Sequence, residues 1–224
     1  DYGVKAQLTA TQRVGVHQYT FPSSDGQFVL DLGAGIYNYE GKTLWTYLRV
    51  VNDTLLTGYR ITNGWARQNY TYFAISLSEP VSEYGYTDRQ KMKYNGFWRK
   101  MDIHHNFPDM AGREMVGYFK FSLPASRQLT VKVALSPVSM AGAVANLRQE
   151  AALTWEKELS QFRIEGTDDQ KTLFYTSLYH TMINPSVYMD VDGRYRGNDM
   201  EIHQADGFTN YTVFSLWDRY RAEH

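Results

Sequence analysis

The chain has 224 residues, 43% of them hydrophobic, which is enough to build a core and argues against disorder. A formal net charge of −1 leaves no bulk electrostatic case for nucleic acid or an anionic membrane as the main partner, and no apolar run of about 18 residues offers a membrane span. Cysteine is absent, which excludes a disulfide framework, a thiolate metal site and a cysteine nucleophile together.

Residues 1 to about 138 read as strands. Val4-Lys5-Ala6-Gln7-Leu8-Thr9-Ala10 alternates apolar and polar side chains. Arg13-Val14-Gly15-Val16-His17-Gln18-Tyr19-Thr20-Phe21 does the same, until Pro22 and a Ser-Ser-Asp-Gly turn end it. Segments 28–32, 46–51, 55–61, 70–77, 117–123 and 129–135 continue the pattern, separated by Gly, Asn, Asp and Pro. Period-2 segments at this spacing predict an antiparallel β-sandwich.

The period changes at Ser136-Pro137-Val138-Ser139. From Met140 the apolar positions Val144, Leu147, Ala151, Trp155, Leu159 and Phe162 recur three or four apart, one stripe of an amphipathic helix with Ser139 as its N-cap. Thr167-Asp168-Asp169-Gln170 fits a capping box for a second helix, striped by Phe174, Leu178 and Met182 and stopped by Pro185. A Gly- and Asp-rich segment interrupts, and a third helix is expected to begin near Asn210. The organisation read from these periods is a sandwich at 1–138, a linker helix at 139–165 and a helical region at 166–224. Strands followed by helices imply segregated domains rather than an alternating sheet. A start at Asp1 without Met, and an end inside a helix, read as a piece with two cut ends. Open sheet edges and cut apolar stripes predict that such a piece self-associates.

Several clusters could carry chemistry. The segment from Asp190 to Asp199 is the densest polar one; its carboxylates suit calcium, although Gly193 comes too early for an EF-hand, and its Asp-Gly pair equally suits a tight turn. Trp217 and Asp218 offer an aromatic face and a hydroxyl acceptor for a sugar, or else a buried Trp beside an Asp218–Arg221 helix pair. His104 and His105 are neighbours pointing apart, and His17, His180 and His203 show no partner at ligand spacing, so each reads as structural. Trp45, Trp65 and Trp98 lie in the sandwich half, where burial and groove-lining are both open. The 18 Tyr, 11 Phe and 5 Trp suit sugar stacking as well as sheet packing. No phosphate-binding glycine loop and no nucleophile elbow occurs.

The helical half carries a more specific pattern. Ser136-Pro137-Val138-Ser139, Asn146-Leu147 with Glu150, Trp155, Phe174-Tyr175-Thr176, Leu178-Tyr179-His180 and Pro185 come first. Asp190-Val191-Asp192-Gly193, Tyr195-Arg196-Gly197 and then Tyr211-Thr212-Val213-Phe214-Ser215-Leu216-Trp217-Asp218 with Tyr220-Arg221-Ala222 follow. With Asp1-Tyr2-Gly3-Val4-Lys5-Ala6, Leu8-Thr9-Ala10-Thr11 and Arg13-Val14-Gly15 at the front, this series resembles glycoside hydrolase family 92, the bacterial exo-acting α-mannosidases.

The resemblance implies an antiparallel, galactose-mutarotase-like supersandwich, a linker helix and the first helices of an (α/α)6 barrel, with the active site between sandwich and barrel. It implies release of terminal α-mannose, α-1,2-linked, by inversion, with a calcium ion near the sugar. The family's general acid, general base and calcium ligands lie in the barrel beyond the Trp-Asp motif. No catalytic carboxylate or metal ligand is therefore assigned to this chain, and the chain alone is expected to be inactive. Trp217 and Asp218 match the pair expected to bind the terminal mannose. The implied partners are a mannose-containing glycan and the remainder of the parent enzyme, in the periplasm or outside the cell. A stand-alone sugar-binding sandwich and a purely structural one are the competing readings. The first explains the aromatic residues but not the appended helical half, and the second would be favoured by a lack of sugar binding in the intact parent.

Overall fold

The computed structural model describes residues 2–35, 39–64, 66–90, 105–149, 164–182 and 186–211. The alternating half forms antiparallel strands: β1 (Lys5–Ala10), β2 (Val14–Thr20), β3 (Asp25–Asp31), β4 (Thr43–Asn52), β5 (Leu55–Thr62), β6 (Asn69–Leu77), β7 (Val81–Asp88), β8 (Asp109–Gly112), β9 (Met115–Ser122) and β10 (Gln128–Ser136). Seven of them pair in the order β1-β2-β10-β6-β5-β4-β8, and β3-β9-β7 makes a smaller facing sheet. Helix α1 (Met140–Gln149) follows β10 directly, then α2 (Asp168–Met182) and a two-stranded unit of β11 (Arg194–Arg196) and β12 (Ile202–Gln204).

The core lies between the two sheets. Leu48, Leu56, Phe73, Ile75, Leu129 and Val131 from the large sheet meet Tyr86, Met115, Phe119 and Phe121 from the small one. Strand β9 shows the cause in its sequence: Met115, Gly117, Phe119 and Phe121 point inward while Tyr118, Lys120 and Ser122 face water. The hydroxyl of Tyr86 has its pKa raised by burial. Two strands lie outside the sequence reading. β7 carries Gly85 at its centre, and β8 is a four-residue edge strand held by its pairing with β4.

Thr46 is a buried polar group inside the sandwich. Its Oγ1 donates to the Gly112 carbonyl at 2.9 Å and accepts from the Met115 N–H at 3.0 Å, so one hydroxyl joins β4, β8 and β9. Valine matches its shape and can do neither. Thr46→Val is expected to cost about 2 kcal/mol, because two buried backbone groups lose their partners; urea denaturation measures it.

On its other face the large sheet carries α1. The contact is built from small side chains, with Val14, Ala74, Ala134, Ala143 and Leu147 buried together, so the helix axis approaches the strands closely. Both expected caps form. Ser139 Oγ accepts from the Gly142 N–H at 3.0 Å. Thr167 and Gln170 close a reciprocal capping box at 2.9 and 3.3 Å. The expected continuation of α1 through Trp155 to Phe162 lies outside the described residues.

Candidate functional site at the sandwich and hairpin junction

Strand β10 ends in Ser136, whose hydroxyl oxygen accepts the backbone N–H groups of Val138 at 2.9 Å and Ser139 at 3.1 Å and so turns the chain into α1. The same hydroxyl donates to Asp190 Oδ2 at 2.8 Å. Nearly two turns into α1, Asn146 Nδ2 donates to the Leu135 carbonyl at 2.8 Å and to Asp190 Oδ1 at 2.9 Å. The Asn146 carbonyl oxygen takes the Val191 N–H at 2.9 Å. Asp190 is 1% exposed and Asn146 fully buried, so this is an interior polar knot with its lone pairs satisfied. Gly142 makes room for it, since a β-carbon there would run into Asp190 Oδ2 and come within 2.8 Å of Ser136 Oγ.

Burial pushes the Asp190 carboxyl pKa up, while the Ser136 and Asn146 hydrogen bonds oppose the shift. A carboxyl raised above its unfolded value of 3.8 favours folding most when protonated. Its contribution is complete below 3.8 and is lost as pH rises through the folded value. Measured against Asp190→Asn, which has no charge to desolvate, the native chain is expected to lose relative stability across that window. Denaturant titrations at pH values on both sides of 3.8 check this, and a pH-independent difference would contradict it.

The knot anchors a closed unit. Gly193, in the left-handed region at φ 82°, makes the turn that carries the chain from Asp190 into β11. At the base, Val187 bridges Tyr211, and Tyr188 exchanges hydrogen bonds with Asn210. Two arginines add ties to the sandwich. Arg13 Nε donates to the Met189 carbonyl at 2.7 Å, and Arg196 Nε to the Pro137 carbonyl at 3.2 Å. The Arg196 guanidinium lies 4.6 Å from the centre of the Tyr70 ring.

Arg196 meets the end of an aromatic row. Tyr47, Tyr59 and Tyr72 are direct register partners across β4, β5 and β6, and the next partner of Tyr72 is Ser136. Tyr47 and Tyr59 are stacked, with centroids 5.4 Å apart, whereas Tyr59 and Tyr72 are tilted at 57° with centroids 5.8 Å apart. Such a row ties neighbouring strands together on the sheet face.

The three carboxylates of the polar segment go to separate partners: Asp190 into the knot, Asp192 to Arg194 Nε at 2.8 Å, and Asp199 to His203. The turn reading therefore describes this segment. Among the described residues no three His, Asp or Glu side chains are grouped to hold a metal ion. His203 is a hydrogen-bonded histidine, in keeping with its structural reading: its Nε2 lies 2.8 Å from Asp199 Oδ2 across the hairpin tip. That bond is the main cause holding the Asp199 carboxyl pKa below its ordinary value. His17 contacts the Tyr19 hydroxyl at 2.8 Å, and burial lowers its pKa. Trp45 is half-buried on β4 and pairs with Ile61. Trp65, Trp98, His104, Trp217 and Asp218 lie outside the described residues. Asn210 and Tyr211 close the hairpin unit, and the third helix expected to begin near Asn210 lies outside the described residues.

Sequence reasoning missed Ser136, Gly142, Asn146 and Asp190 as one cluster. A glycine inside a helix and an asparagine beside its apolar stripe were the available signals.

The Glycosyl hydrolase family 92 N-terminal domain profile matches residues 1–136, and the Glycosyl hydrolase family 92 catalytic domain profile matches residues 137–224. The chain belongs to glycosyl hydrolase family 92. Among solved structures it is similar to the family GH92 α-mannosidase BT3965 from Bacteroides thetaiotaomicron, at 34% identity over 99% of this chain with a TM-score of 0.78. The same enzyme in complex with mannoimidazole matches equally well. The family GH92 inverting mannosidase BT2199 from the same organism matches at 27% identity over 98% of this chain, with a TM-score of 0.72. The chain spans 31%, 30% and 30% of those three chains. No curated protein matches. In this family-92 chain the Ser136–Asp190 bond joins a residue of the N-terminal profile to one of the catalytic profile, so the knot lies where the two meet.

Proposed function

We propose that this chain is part of a glycoside hydrolase that releases terminal α-linked mannose, α-1,2-linked, from glycans with inversion at the anomeric carbon. The observation that carries the reading is the 34% identity along 99% of the chain to an α-mannosidase whose complex with mannoimidazole is known. In this reading Trp217 and Asp218 bind the terminal mannose, the Trp against the apolar face of the ring and the carboxylate accepting from its hydroxyls. The general acid and general base belong to other parts of the parent enzyme, as inversion requires two carboxyl groups with room between them for a water. Calcium, when bound, would chelate sugar hydroxyls as a hard cation. The described residues supply no ligand set for it, and its ligands are assigned to the rest of the enzyme. What these residues contribute is position: the knot at Asp190 fixes the hairpin that leads toward Trp217 against the sandwich.

The sandwich at 1–138, the linker helix at 139–165 and the start of the barrel at 166–224 are the proposed division. The periplasm or the cell exterior is the proposed site of action, where glycan substrates are met. No helix among the described residues is long and apolar enough to cross a membrane.

The test is mannose release from α-1,2-, α-1,3- and α-1,6-linked mannobiose by the full-length enzyme and by this 224-residue chain, with calcium and then with a chelator. Calcium-dependent release by the full-length enzyme, fastest on the α-1,2 linkage and first appearing as β-mannose by NMR, is the expected result. The isolated chain is expected to release none. Absence of mannose release from the full-length enzyme sinks the proposal.

A further inference from the structure

The large sheet ends in β1, a strand exposed on both faces: every residue from Lys5 to Thr9 is open to water. Cross-strand partners share one face of a sheet, and the row that starts at Leu8 runs through His17 and Val131 to Leu77. Val131 and Leu77 belong to the buried core, so Leu8 stands on the core side of the sheet. Exposure climbs along that row from 0% at Val131 to 69% at Leu8. Ala6 repeats the pattern, exposed at the end of a row that passes through Tyr19 to the buried Leu129. The three strands of the small sheet leave the last of the seven without cover.

Among the described strands β1 pairs with β2 alone, so the backbone groups along its other side face away from the sheet. Sheet edges are ordinarily blunted by shortness, proline, a bulge or charge. At the opposite end β8 is only four residues long. β1 has six residues, no proline, an uninterrupted register with β2 and one charged side chain, Lys5 at its start. Such an edge templates another strand, and its own sequence fits it. Set antiparallel about a two-fold axis at Gln7, Ala6 meets Leu8 of the second copy on the core side, and Lys5 meets Thr9 on the other face. The two Lys5 positions are then four residues apart along the ladder, about 13 Å, which exceeds the Debye length of about 8 Å. Like charges do not meet.

We propose that β1 is a self-association edge: a second copy of this chain adds its own β1 antiparallel, with Gln7 facing Gln7, and joins the two large sheets into one. The ladder hydrogen bonds hold the pair, and the exposed Leu8 and Ala6 of both copies gain apolar neighbours. The Gln7 amides, each both donor and acceptor, can bond one another across the axis. A strand that carries one cation and complements itself without a like-charge clash fits a second copy of itself. Mannose release has no part in this pairing, so the mannosidase reading stands or falls separately.

Light scattering on the 224-residue chain across a dilution series is expected to give twice 25.9 kDa at the concentrated end and 25.9 kDa at the dilute end. Leu8→Lys, at a side chain too exposed to disturb folding, is expected to raise the dimer dissociation constant about tenfold or more. The chain has no cysteine, so single cysteines read the register cleanly. On oxidation Gln7→Cys is expected to give a disulfide-linked dimer. Thr9→Cys is expected to give none, because its two copies lie about 13 Å apart, beyond disulfide reach. A chain that is monomeric at every concentration overturns the proposal. So does a dimer that Leu8→Lys leaves intact, or one in which Thr9→Cys cross-links as readily as Gln7→Cys. Protection from hydrogen exchange at every amide from Ala6 to Thr9 in a monomer would assign the edge to a strand of the same molecule, and overturns it as well.

Discussion

Asp190→Ala is expected to destabilise the chain by about 3 kcal/mol and to loosen the hairpin before the sandwich. The alanine removes the acceptor for Ser136 Oγ and one of the two acceptors for Asn146 Nδ2, in a place that is almost sealed from water. The native carboxylate's own desolvation offsets part of this loss, which is why Asp190→Asn, with one acceptor oxygen kept and no charge, should cost about 1 kcal/mol. Hydrogen exchange supplies the local half of the result: the amides of Val191 and Gly193, held by Asn146 and by the Asp190 carbonyl, should lose protection in the alanine variant while those of β5 and β6 keep theirs. A change in stability within about 0.5 kcal/mol would mean that the knot is not what joins the sandwich to the hairpin.

Gly58→Ala is expected to be at least as severe, at about 3 kcal/mol or more, for a steric reason. Gly58 is buried in β5 opposite Leu48 and Phe73. A β-carbon there would run into the Tyr47 carbonyl oxygen and lie 2.5 Å from Phe73 Cζ. The ring can be shortened, but the carbonyl belongs to the neighbouring strand and cannot move without shifting the β4–β5 register. Phe73→Leu in the same chain should therefore rescue only part of the loss, apart from its own cavity cost. Full rescue in a double-mutant cycle would show that the ring alone was the obstacle. Because Tyr47 and Tyr59 flank Gly58 in the ladder, near-ultraviolet circular dichroism should report the shift in the tyrosine row.

The division of the chain into a strand half and a helix half was set by period alone. The alternation of Gly117 to Ser122 suits a strand with one face buried, and the three- and four-residue spacing after Met140 suits a helical stripe. The caps at Ser139 and Thr167 were equally local, since each depends on hydrogen bonds spanning three residues. The ordered motifs from Ser136 to Ala222 also carried the family, because their residue types and order are specific where composition is not.

Tertiary structure decided the rest. Strand β8 has a sequence, Asp-Met-Ala-Gly, with little intrinsic preference for a sheet, and exists because β4 offers it an edge. The alignment of Tyr47, Tyr59 and Tyr72 into one row follows from strand register, which no single segment contains. Asp190 looked like one of several exposed acidic residues in a turn. Only the packing of α1 on the sheet brings Ser136 and Asn146 to it from 54 and 44 residues away, and removes all three from water. His203 met its partner in the same way, since a hairpin tip bends a spacing of four residues into contact. Local sequence fixes what a segment can form by itself; burial and long-range pairing fix which of its polar groups become a site.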